Sequence, residues 1–235
     1  MKNKASEQPH KTAGIEYRLI RLRRKSLSIQ ICDGMVIVKA PAGTPFSAVE
    51  AFIEKKRNWI AAKTGAYAAK RRKFSDVLEY RAFLLDGAQY PAVMSGGIKK
   101  IMVADGRFLI PQPLFEMRDK LISAVRKWYI ARATEQLGNR LQQLAGVLGF
   151  AFSGFNLTGA RAKWGSCDPN NRIRLNWRLV LLNPELQDYV IIHELCHTKR
   201  HNHGKEFWEA VAKHCPLYKD ARKKLKEYSL LTGLY

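Results

Sequence analysis

An α+β fold, with N-terminal antiparallel strands followed by helices packed on a small sheet, is what this sequence predicts. Two observations carry the prediction. Around residues 27–40 and 79–111 apolar residues come in short runs closed by Asp-Gly or Gly-Gly pairs, the pattern of hairpins. Over 44–73 and 114–148 the period becomes helical. A third observation sets the scale. At 235 residues and 46% hydrophobic, the chain can bury a core as one domain, or one plus a small appendage.

The elements follow in order. Residues 1–13 read as a flexible tail. Leu27, Ile29 and Ile31 alternate with polar residues, Asp33-Gly34 marks a turn, and Met35 to Ala40 supplies the returning strand. Thr44 reads as an N-cap with Pro45 at the first helical position. Phe46, Val49, Phe52, Ile53, Trp59 and Ile60 then share one helical face, and the helix runs out into Lys70, Arg71, Arg72 and Lys73. Short runs between Asp86-Gly87, Gly96-Gly97 and Asp105-Gly106 predict a small antiparallel sheet. Leu121, Val125, Trp128, Leu137, Leu141, Leu144 and Leu148 predict a helix, with Gly138 a candidate kink. Strands are expected near 154–162 and 172–177.

Charge narrows the partners. Lys and Arg number 41 against 20 Asp and Glu, a net charge of +21. Residues 1–75 hold 17 of the basic and 5 of the acidic residues. Such a field favours nucleotides, nucleic acid or acidic surfaces, although it also simply keeps a protein dispersed. No apolar run approaches the 18 residues of a membrane span, so no membrane partner is expected. The polar start, Met1 to Gly14, lacks the apolar core of a secretory signal, and a cytoplasmic location is the default expectation. Cys32, Cys167, Cys196 and Cys215 form no Cys-x-x-Cys pair and read as reduced thiols.

The chemistry concentrates in His193-Glu194-Leu195-Cys196-His197, an H-E-x-x-H run. Asn183 suits an N-cap, Pro184 the first helical position, and Glu185 and Asp188 the positive end of the helix dipole. On that helix His193 and His197 lie one turn apart on one face and can share a Zn²⁺. A catalytic zinc normally takes a third protein ligand. His201 lies eight residues beyond His193, about 12 Å along a straight helix, too far for one ion. His203 stands between Asn202 and Gly204, which tolerate a turn that swings it back. It is the expected third ligand, ahead of His214. Glu194, next to a ligand without being one, is placed to take a proton from a metal-bound water. Four of the six histidines fall within residues 193–203, which argues against a helix that merely carries surface histidines.

Further residues complete a pattern. Lys163-Trp164-Gly165-Ser166-Cys167, Ile173 to Leu179, Tyr189 to His197, Asn202-His203 and Phe207-Trp208 together closely resemble the YgjP-like metallopeptidase-domain family, which is related to SprT-like metallopeptidases. The specific match covers about residues 160–210, and the region 18–62 is also similar to that family's N-terminal part. The resemblance implies a zincin-like, metal-binding catalytic region over 113–235, with a small sheet, after a basic strand-rich region over 14–112. It implies zinc bound by His193, His197 and His203, and Glu194 as catalytic base.

Five residues are weighed as substrate contacts. Gly165 could permit a tight turn bringing backbone donors or Ser166 toward the metal; a turn anchored by Trp164 is the blander alternative. Asn176 and Arg178 are spaced for one side of a strand, where Arg178 could bind an anion or simply face solvent. Tyr189, one turn before His193, could reach a developing oxyanion, or only pack. Cys196 lies off the ligand face and reads as packing. The function expected is a zinc-dependent metallopeptidase acting on peptide or protein. The alternatives are a metal-dependent nucleotide phosphoanhydride hydrolase, a nucleic-acid-associated SprT-like protease, and a non-catalytic basic module with a structural metal. The last has no use for Glu194.

Overall fold

The strands of the first compact unit, which extends to Phe74, enclose a small core of their own. The computed structural model describes residues 9–234. Strands β1 (His10–Thr12), β2 (Ile15–Leu22), β3 (Ser28–Cys32) and β4 (Met35–Pro41) form one sheet in the order β1-β2-β4-β3. Asp33 and Gly34 both take positive φ, 50° and 81°, and close the β3–β4 hairpin as expected. The sheet is nevertheless mixed, because β2 pairs with β4 in parallel. The expected tail is also shortened: residues 1–8 lie outside the described residues, but His10–Thr12 pairs with β2.

Tyr17, Leu19, Val36, Val38 and Ala40 form the buried face of this sheet, with Val49, Ile53 and Ile60 from helices α1 (Phe46–Lys55) and α2 (Arg57–Lys73) in the same core. The apolar stripe read from sequence is only partly buried, since the helix breaks at Lys56 and leaves Phe46 and Trp59 exposed. Thr44 does not cap α1. Pro45 occupies that position, and the Thr44 carbonyl instead accepts from the Arg21 guanidinium at 2.7 Å.

The second unit begins at Ser75. After α3 (Ser75–Leu78), strands β5 (Ala82–Leu85), β6 (Ala88–Ser95), β7 (Met102–Ala104) and β8 (Arg107–Pro111) form a sheet in the order β5-β6-β8-β7. The two Asp-Gly hairpins are antiparallel, but β6 and β8 join them in parallel, so this sheet too is mixed. Helices α4 (Gln112–Phe115) and α5 (Arg118–Leu148) follow. The buried stripe of α5 is Leu121, Val125, Tyr129, Ala133, Leu137, Leu141 and Ala145. Gly138 does not break it. A Cβ there would come 3.3 Å from the Phe155 ring, so the glycine admits a neighbouring strand.

That strand belongs to a third sheet of β9 (Gly154–Thr158), β10 (Gly165–Cys167) and β11 (Arg172–Asn176), in the order β10-β11-β9. The single strand expected near 154–162 ends at Thr158, and β10 runs through residues that read as a turn. A 3₁₀ turn (Trp177–Leu181) leads into α6 (Pro184–His197), then α7 (Lys205–His214), α8 (Tyr218–Leu225) and a final 3₁₀ stretch (Lys226–Gly233). Asn183 occupies the α6 N-cap position, but its side chain makes no capping bond.

Hydrogen bonds explain why the 75–111 region belongs to the second unit, not with the residues before it. The Asp86 and Gly87 amides donate to the Val180 and Leu181 carbonyls at 2.8 and 3.1 Å. The Gln136 and Gln187 side-chain amides donate to the Asp86 carboxylate at 2.7 and 2.9 Å. The buried Tyr129 hydroxyl donates to the Leu84 carbonyl at 2.6 Å. Tyr129→Phe keeps the ring and removes this tie. It is expected to cost about 1 kcal/mol, seen as a fall in Tm of roughly 2–4 °C in a calorimetric melt.

Candidate metal centre

Helix α6 carries the site, and it is buried on nearly every side: Leu186, Tyr189, Val190, Ile191, Ile192, Leu195 and Cys196 are all buried, and so are Glu194 and His197. The Arg140 guanidinium grips Asp188 through two bonds of 2.7 and 2.6 Å, fixing α6 to α5. His193 and His197 stand one turn apart with ring centroids 4.9 Å from each other. The helix ends at Thr198, and the Lys199 and Arg200 amides both donate to the Cys196 carbonyl. The chain then turns back so that the His203 ring lies 5.1 Å from that of His193 and 4.7 Å from that of His197. An Arg200–Glu206 ion pair of 2.7 Å spans this loop.

One nitrogen from each of His193, His197 and His203 lies within 4.8 Å of the others. The His197 Nδ1–H donates to the Arg200 carbonyl at 3.0 Å, which leaves Nε2 unprotonated and free to ligate. The Nε2 atoms of His193 and His203 approach to 3.2 Å. Burial, aided by the neighbouring His197 and His203, pulls the His193 pKa down to about 3, and burial lowers that of His197 as well. Three converging imidazole nitrogens suit a borderline-soft divalent cation. Phe207, wholly buried, touches all three rings from one side and stacks on His197 at 4.4 Å. His201 is exposed, and His214 packs on Phe150; neither joins the group.

Glu194 is 5% exposed, and burial pushes its pKa up to about 8 against a downward pull from Lys163. Strand β10 runs directly over this carboxyl group. A Cβ on Gly165 would meet Glu194 Oε1 at 2.6 Å and Cδ at 2.9 Å. Gly165 therefore serves close approach, where the sequence had suggested a tight turn. Alternation along β10 sets Ser166 on the face opposite the one where Gly165 meets Glu194, and Ser166 is not among the residues lining the cleft.

A cleft of ≈ 190 Å³ opens beside the triad, lined by Lys163, Trp164, Gly165, Tyr189, Val190, His193, Glu194 and Leu225. Trp164 and Tyr189 thus reach it. Asn176 and Arg178 do not. The Asn176 amide donates to the Ala160 and Lys163 carbonyls at 2.7 and 3.0 Å, and its oxygen accepts from the Arg178 amide. Arg178 is not on a strand at all. It falls in the 3₁₀ turn, is buried, donates to the Leu234 carbonyl and lies over the Trp177 ring. Lys163 and Leu225 were missed as lining residues; Lys163 stood inside the recognised run, whereas nothing local marks Leu225.

A metal-binding hydrolase is the class of protein that this arrangement describes. The family model described as "YgjP-like, metallopeptidase domain" matches residues 25–228, and the chain belongs to that family. Membership brings the coarse activity: a metallopeptidase, which uses a metal ion and acts on peptide or protein. Among solved structures, the metallopeptidase zymogen jannalysin of Methanocaldococcus jannaschii is 24% identical, over 38% of this chain and 96% of that one, with a TM-score of 0.32. No curated protein matches the chain. No helix among the described residues is long and apolar enough to cross a membrane.

The buried carboxyl group makes a prediction for the metal-free protein. Its folded pKa of about 8 lies above the ordinary 4.5, so the folded state holds a proton that the unfolded chain releases in that interval. Stability contributed by the protonated group is therefore lost as pH rises. The unfolding free energy of metal-free wild type minus that of Glu194→Gln should be constant below pH 4.5, fall up to about pH 8, and then level off. Urea titrations across pH measure it, and a flat difference contradicts the buried carboxyl group.

Proposed function

We propose that the chain is a zinc-dependent peptidase in which His193, His197 and His203 hold the ion and Glu194 is the catalytic base. The observation that carries this reading is the convergence of three imidazoles beside a buried carboxyl group on one helix. Zinc, when bound, supplies a Lewis acid that acidifies water and polarises a peptide carbonyl. Glu194 takes the proton from the attacking water and delivers it to the departing amide nitrogen. The burial that raises its pKa makes it a stronger base than a solvated carboxylate. The His197–Arg200 hydrogen bond keeps its ring in the ligating tautomer. Phe207 shields the triad from water on one side.

Substrate placement follows from the sheet. Strand β10 is an edge strand, so its outer side offers backbone groups to an extended peptide. Because Gly165 lacks a side chain, such a peptide is brought close to Glu194. Trp164 supplies an apolar wall to the same cleft, and Tyr189 offers a hydroxyl for the carbonyl oxygen as charge builds on it.

Glu194→Gln is expected to keep about one zinc per chain by elemental analysis while peptide hydrolysis falls by roughly 10²-fold or more. His193→Ala should lose both. Full activity in Glu194→Gln would overturn the mechanism, and correctly folded wild type without zinc would overturn the ligand set.

A further inference from the structure

Among the described residues, two cations stand beside the cleft and form no ion pair with a carboxylate. Lys163 lines it, next to Trp164, Gly165 and Glu194. Its backbone is pinned by the Asn176 amide, so its side chain departs from a fixed point. Arg222 approaches from α8. Tyr218, Arg222 and Leu225 recur at i, i+4 and i+7 and share a helix face. Tyr218 stacks on Trp208 at 5.4 Å, the Arg222 guanidinium lies 5.1 Å from the centre of the Trp208 ring, and Leu225 lines the cleft. Trp208 in turn is 5.9 Å from His193 and 5.6 Å from His203, ring to ring. Arg222 is therefore held on an aromatic platform that abuts the triad.

Among the described residues neither cation forms an ion pair, whereas Arg140, Arg174 and Arg200 of the same unit each bind a carboxylate. Among the described residues Glu194 is the one acid lining the cleft. A guanidinium resting on a tryptophan keeps its fork of N–H donors available to a planar acceptor.

We propose that Lys163 and Arg222 form a carboxylate-binding subsite beside the scissile position, selecting peptides that carry a carboxylate there. The carboxylate is an acidic side chain or a free C-terminus. The inference rests on the reading of the cleft as a peptide-hydrolysing centre.

The test reads binding without turnover, in the zinc-loaded full chain carrying Glu194→Gln, with zinc content matched in every variant. Fluorescence anisotropy follows three labelled peptides of one length: one with an internal Glu and an amidated end, one neutral with a free C-terminus, and one neutral and amidated. At least one carboxylate peptide should bind roughly tenfold more tightly than the neutral amide, and which one does so identifies the source of the carboxylate. Adding Arg222→Ala or Lys163→Ala should each remove about fivefold of that advantage and leave the neutral amide within about twofold. Arg222→Lys should keep part of it. Equal binding of all three peptides overturns the subsite, as does an equal loss for all three on adding Arg222→Ala. So does tight binding of a nucleoside triphosphate with no preference among the peptides. If the preference is intact but wild type cleaves none of the peptides, the peptidase reading fails and the subsite stands. If cleavage is intact and the preference absent, the subsite alone fails.

Discussion

Ionisable groups buried on a helix that has almost no exposed face set the terms for the whole second unit. Taking a carboxyl group and imidazoles out of water favours their neutral forms, and that is the direction in which Glu194 and His193 are displaced. An uncharged His193 imidazole packed edge to face on Phe207 is tolerable in an apolar setting. The uncharged ring is also the form that binds a metal ion. A bound cation beside Glu194 would in turn favour its ionised form, the form needed to accept a proton. Burial and metal binding thus pull on the same residues, and each makes sense of the other.

The surroundings of α6 hold this helix in place. Arg140 clamps Asp188 from α5, and the Asp86-Gly87 turn docks on the segment just before α6. Gln187 closes the join by donating to Asp86 and to the Leu182 carbonyl. Asn176 spends its polar atoms on the 160–163 backbone and on Arg178, and so fixes the strand that passes over Glu194. Its contribution is to shape the cleft from behind.

How far the sequence could be read depended on the range of each interaction. The pairing of His193 with His197 is a consequence of helical spacing and could be read locally. The return of His203 is expected from left-handed backbone at Asn202 and Gly204, but neither takes positive φ; the chain turns back through the Lys199 and Arg200 amides on the Cys196 carbonyl. The parallel pairings of β2 with β4 and β6 with β8 are long-range, and hairpin signals say nothing of how hairpins join. Arg178 was misread because alternation was carried past Asn176, where the chain coils into a 3₁₀ turn and takes the arginine inside. The reason for Gly165 lies in Glu194, and the reason for Arg222 lies in Trp208; neither contact leaves a trace in the neighbouring residues.

Everything proposed for the cleft depends on three imidazoles, from α6 and the loop beyond it, binding zinc. X-ray absorption spectroscopy at the zinc edge of the purified full chain tests it most directly. Only nitrogen and oxygen scatterers are expected, with imidazole nitrogens at about 2.0–2.1 Å, and one imidazole fewer in His203→Ala. Sulfur scattering at about 2.3 Å, as from Cys167 or Cys196, or a spectrum that does not change in His203→Ala, would contradict it.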